Sequence, residues 1–127
     1  MNIEDLRNYC LTIKNAQECT PFSEDVIVYK IMNKMFAFYS LSPKEGEYFV
    51  VLKCDPNKSV ELRETYQGIT KGFYASNSLT WNSVYIQRDV PDQLIIELIN
   101  HSVEMVLSKL PKKQRLTDYL NKKEKNT

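Results

Sequence analysis

Three strand-forming runs follow one another between residues 25 and 54, and they limit the possible folds more than any other feature. The runs are VIVYKIM, MFAFYSL and YFVVLKC, rich in β-branched and aromatic residues that favour a pleated, half-buried surface. Asn33-Lys34 separates the first two and is expected to make a tight hairpin turn, because Asn tolerates positive φ. Ser42-Pro43-Lys44-Glu45-Gly46 reads as the second turn. With connections this short, a meander of three antiparallel strands is the simplest arrangement.

Helical patterns flank the meander. Ile3, Leu6, Cys10 and Ile13 lie on one face of an amphipathic helix, with Asn2 and Asp5 suited to its start. Pro21 disfavours helix at Thr20, so this helix is expected to end between Ala16 and Glu18. Asp55-Pro56 supplies an N-cap and a proline at the first position of a second helix, with Gly68 as its stop. Gly72 lies in the irregular stretch 69–78, where it is available for an unusual backbone angle. A fourth strand runs from Thr80 to Ile86. The clearest helix follows, with Leu94, Ile95, Leu98, Ile99, Ser102, Val103, Val106 and Leu110 in helical spacing before Pro111. The expected fold is α+β, an antiparallel sheet packed against helices in the order α-β-β-β-α-β-α, with a short extra strand near 69–75. Residues 1–112 are expected to form one domain and 113–127 a basic, frayed tail.

Charge and cysteine placement narrow the function. The net charge of +1 divides into +5 from Lys109 onward and −4 over residues 1–108. Any nucleic-acid-binding face on the body is therefore local. Three glycines provide neither a GxGxxG nor a GxxxxGK[ST] frame. Cys10, Cys19 and Cys54 are widely spaced and far in sequence from His101, the single histidine, so the paired ligands of a zinc site are missing. The start MNIEDLRN lacks the basic and apolar regions of a signal peptide, and no stretch has the length of a membrane span. The expectation is a cytoplasmic protein with reduced thiols, without metal, cofactor or membrane attachment, acting as a monomer.

His101 is the first residue to test for acid–base chemistry. Ser102 points about 100° away around the helix and does not pair with it, and the reading preferred here is a boundary histidine with a structural hydrogen bond. Glu61 and Glu64 lie beside Lys58 and Arg63 and read as a solvated helix face. Trp81 lies in YASNSLTWNSVYI, where Asn82, Val84 and Ile86 form the expected buried face, and Trp81, Ser83 and Tyr85 the other. An exposed Trp81 is a stacking platform for bases, whereas a covered one is a packing anchor, and strand aromatics are usually packed.

The ordered set Pro21-Phe22, Lys30, Lys34-Met35-Phe36-Ala37, Leu52-Lys53-Cys54-Asp55-Pro56, Leu62-Arg63, Tyr66, Gly72-Phe73-Tyr74, Trp81-Asn82, Val90-Pro91-Asp92 and His101-Ser102 resembles the MmcQ/YjbR family of small bacterial proteins. The resemblance covers roughly residues 20–115. The chain departs from the family pattern at Ser23 and Asn33, where Gly is usual, and at Val103, where Tyr is usual. The resemblance implies a frataxin-like (CyaY-like) α+β fold and a double-wing DNA-binding arrangement, with no catalytic residue set. Placed on this sequence, it nominates Lys30, Asn33, Lys34, Lys53, Lys71, Tyr74, Asn77, Trp81 and Asn82 as contacts to double-stranded DNA. The lysines would meet phosphates, and the amides or rings would meet bases. The expectation is a non-enzymatic DNA-binding protein. The alternative is a protein- or small-ligand-binding module using a pocket around Trp81.

Overall fold

The computed structural model describes residues 1–43, 45–73, 77 and 79–111. In chain order the elements are α1 (Ile3–Thr12), β1 (Gln17–Cys19), β2 (Val26–Ile31), β3 (Lys34–Ser40), β4 (Phe49–Lys53), α2 (Pro56–Thr65), β5 (Ile69–Lys71), β6 (Trp81–Tyr85) and α3 (Asp92–Ser108). The strands form one sheet in the order β1-β2-β3-β4-β6-β5, with every neighbouring pair antiparallel. The α+β class and the expected order hold, with β5 as the short extra strand. The expected tail at 113–127 lies outside the described residues.

β1 was not expected. A capping box starts α1, in which Asn2 Oδ1 accepts from the Asp5 N–H at 2.8 Å and the Asp5 carboxylate accepts from the Asn2 N–H at 3.1 Å. The helix ends at Thr12 rather than Ala16 to Glu18. Asn15, with φ 69°, turns the chain back, and Glu18 fastens the new strand. Its carboxylate accepts from Arg7 Nε at 2.9 Å and from the Tyr29 hydroxyl at 2.8 Å. That hydroxyl also lies 3.0 Å from the hydroxyl of Tyr39.

The first hairpin turns one residue earlier than expected. Ile31 pairs with Lys34, leaving Met32 and Asn33 as the two turn residues, with φ 53° and 63°. Positive φ at both central positions is what a type I′ hairpin requires. Tyr29 pairs with Ala37 and Lys30 with Met35, so Phe36 is the extra residue of a β-bulge.

The two sheet faces differ. One carries Tyr29, Ile31, Phe36, Tyr39, Val50, Leu52 and Val84, and buries them with Leu6 and Cys10 of α1 and Ile95, Leu98, Ile99 and Val106 of α3. The other carries Val28, Phe38, Phe49, Val51 and Tyr85, edged by Cys19, Val26, Met35, Phe73 and Trp81. No described helix residue belongs to this second cluster. Val84 and Ile86 lie on the helix-covered face as expected for residues 81–86, but Ser83 and Tyr85 on the other face are buried as well.

Two glycines act through close approach rather than through φ. A Cβ on Gly68 would lie 2.9 Å from Asp89 Oδ1, and one on Gly72 would lie 2.9 Å from Trp81 Cβ. Neither has a positive φ. α2 ends at Thr65, with Tyr66 as its cap, before Gly68 is reached.

Candidate nucleic-acid interface

Lys53 is placed by α3. Ser102 is fully buried; its hydroxyl accepts from the Lys53 N–H at 2.9 Å and donates to the Phe36 carbonyl at 2.5 Å. One residue earlier in the helix, His101 Nε2 accepts from the Asp55 N–H at 3.1 Å. An accepting Nε2 must be unprotonated, and the His101 pKa is lowered, first by burial and then by Lys58. Asp55 in turn caps α2, accepting from the N–H groups of Asn57 at 3.0 Å and Lys58 at 3.1 Å. His101 and Ser102 thus clamp the junction between β4 and α2 and fix where the Lys53 side chain leaves the sheet.

Lys53 pairs with Trp81 across β4 and β6, so both side chains stand on the face without helices. The ammonium lies 5.9 Å from the Trp81 ring centroid, within the range of a cation–π contact. Behind it the Trp81 ring packs on Phe38, with centroids 6.0 Å apart and planes at 52°. Lys34, Met35, Lys53, Trp81, Val106, Lys109 and Leu110 line a recess of about 340 Å³. Lys53 is half-buried there, and its pKa is lowered first by burial, then by repulsion from Lys109 and Lys34. Among the described residues no salt bridge involves any of these three lysines. Three cations in mutual repulsion around an aromatic ring favour an anion between them.

A family model described as YjbR matches residues 11–105. The chain belongs to the YjbR family. Among curated relatives, Uncharacterized protein YbdF of Escherichia coli O157:H7 is 31% identical over 112 residues, covering 88% of this chain and 89% of that protein. Uncharacterized protein YjbR of Escherichia coli K12 is 24% identical, covering 91% and 95% respectively. A crystal structure from Deinococcus radiodurans, described as a DUF419 domain, is similar with a TM-score of 0.81 at 29% identity, covering 91% of this chain and 86% of that one. A Pseudomonas syringae protein shares the fold, with a TM-score of 0.70 at 19% identity over 80% of this chain and 96% of that one.

Of the residues nominated from sequence, the fold of this family member brings Lys34, Lys53 and Trp81 together in the recess. Lys30 pairs with Met35 and shares that residue's face on the neighbouring strand, while Asn33 occupies the exposed hairpin turn. Two nominations need correction. Lys71 pairs with Asn82, which places it at the far edge of the sheet from the hairpin and on the face opposite Lys30, Lys53 and Trp81. Asn82 is buried, with Nδ2 donating to Ser59 Oγ at 3.1 Å and Oδ1 accepting from Arg63 Nε at 2.7 Å, so its amide is not available to a base. Asn77 shapes a turn, with Oδ1 accepting from the Leu79 N–H at 3.0 Å. Tyr74 lies outside the described residues. Trp81 is half-buried, between the two alternatives weighed from sequence.

In the sequence Lys109 counts only as the first charge of the basic C-terminal run, and the structure places it in the recess. The signal was present in the spacing: Val106 and Leu110 carry the apolar stripe of α3 past Lys109 to Pro111, which holds that lysine against the body. Among the described residues, no helix is long and apolar enough to cross a membrane.

Proposed function

We propose that this YjbR-family protein is a non-enzymatic, cytoplasmic DNA-binding protein that grips phosphates of a duplex with the β2–β3 hairpin and the recess at its base. The observation that carries this reading is the convergence of Lys34, Lys53 and Lys109 on Trp81, with no carboxylate paired to them among the described residues. One wing only is engaged, because Lys71 lies on β5 at the far edge of the sheet from the β2–β3 hairpin. Three lysine–phosphate contacts release about three counterions, so affinity should fall roughly sixfold for each doubling of salt. Duplex DNA titrated at two salt concentrations, followed by backbone NMR, tests this. Shifts at residues 30–35, 53 and 81 that weaken with salt support it, and no shifts at low salt sink it.

A second reading, a small-ligand site, is favoured by the shape of the recess. Its volume of about 340 Å³ is that of a small-molecule pocket rather than of a flat phosphate-tracking surface.

A further inference from the structure

The recess is not isolated. On the sheet face that carries Met35, Lys53 and Trp81, Phe22, Val26, Met35, Phe38, Ser40 and Phe49 line an apolar cavity of about 400 Å³. Met35 is a wall of both spaces. Phe22, in the loop between β1 and β2, stands at this cavity 70% exposed, an unusual position for a large aromatic with an apolar space beside it. Phe38 forms the cavity floor and backs Trp81, with ring centroids 6.0 Å apart. An aromatic- and methionine-walled hollow therefore adjoins three lysines across one side chain.

We infer that these two spaces form one binding site for a small amphiphilic anion, an aliphatic carboxylate whose chain fills the cavity and whose head lies among Lys34, Lys53 and Lys109. The inference rests on the small-ligand reading of the recess and is independent of DNA contact. The charge argument fixes the head. A carboxylate relieves the repulsion among three cations, which neither a neutral nor a cationic amphiphile does. The apolar walls fix the tail, because burying a chain against Phe38, Phe49 and Met35 removes apolar surface from water on both partners. Phe22 has the most to gain. Folding over a bound chain covers the aromatic surface that the free protein leaves in solvent, so its loop acts as the flap of the site.

The test titrates the full chain with decanoate, decanol and inorganic phosphate, below the concentration at which the amphiphiles aggregate, and reads backbone and indole NMR shifts. Saturable decanoate binding with shifts at Phe22, Met35, Phe38 and Lys53 is expected, with decanol at least tenfold weaker. Phe22→Ala alters an exposed residue and should fold normally, yet weaken decanoate about tenfold while leaving phosphate unchanged. The double variant Lys34→Gln, Lys53→Gln should weaken decanoate and phosphate but not decanol. Phosphate shifts at Trp81 without tighter decanoate binding overturn the two-part site and leave the recess reading standing. Absence of saturation with either anion overturns both, and decanoate binding unaffected by Phe22→Ala and by the double variant overturns the joint site.

Discussion

The two faces of the sheet use the same strands for opposite ends. On the helix-covered face each buried polar group is matched: Ser102 to two backbone groups, and Asn82 to Ser59 and Arg63. No buried side-chain nitrogen or oxygen among the described residues lacks a partner. The other face carries Lys53 and Trp81, and at its margin Lys34, from the hairpin end, and Lys109, from the end of α3, converge on that tryptophan with no salt bridge among the described residues, while the Phe22 ring stands in water. A satisfied polar network in a dry interior contributes stability and a single geometry. Unmatched charge beside unmatched apolar surface contributes little to folding and leaves binding free energy for a partner.

That contrast can be broken by mutation, and the largest effect is expected in the covered core. Phe36 is fully buried, and Phe36→Ala should lower the unfolding free energy by about 3–5 kcal/mol in denaturant titration. Trp81→Ala on the open face should cost no more than about 2 kcal/mol, and equal losses would erase the distinction. Ser102→Ala strands the Lys53 N–H and the Phe36 carbonyl, and should cost about 1–3 kcal/mol. Lys53→Gln on β4 should leave the melting temperature unchanged or slightly raised, since it removes repulsion from Lys109 and Lys34.

The smallest effect concerns pH. The His101 pKa is lowered in the fold, so the unfolded chain binds the extra proton more readily. Stability should be unaffected by this group above its ordinary pKa of about 6.5 and should fall as pH drops below it. The decline continues down to the folded-state pKa. Thermal melts between neutral and mildly acidic pH should show this loss in the native protein and a smaller loss in His101→Gln.

Much of the covered face was legible in the sequence. Alternation along Asn82, Val84 and Ile86 assigned the buried side of β6, and the helical spacing from Leu94 to Leu110 assigned α3, because both are local periodicities. What escaped depended on partners distant in sequence. Gln17–Cys19 has little strand character of its own, and its pairing relies on Arg7 and Tyr29 holding Glu18. Asn82 looked like a free amide until Arg63, on a different element, closed on it. The hairpin turn was displaced by one residue because Met32 adopts a positive φ that its side chain does not favour. The apolar stripe of α3 indicated that Lys109 lies against the body, but its meeting with Lys34 and Lys53 depends on how α3 packs against the sheet, which no spacing within one element reveals.

Both outer strands of the sheet, β1 and β5, are only three residues long. A foreign strand seeking to add itself to either margin finds a ladder too brief to template an extended pairing. At one margin the charged Glu18 ties the strand down, and at the other Lys71 adds a charge that discourages docking. The sheet therefore terminates on both sides by design of length and charge, and edge-to-edge fibril growth should start from neither end.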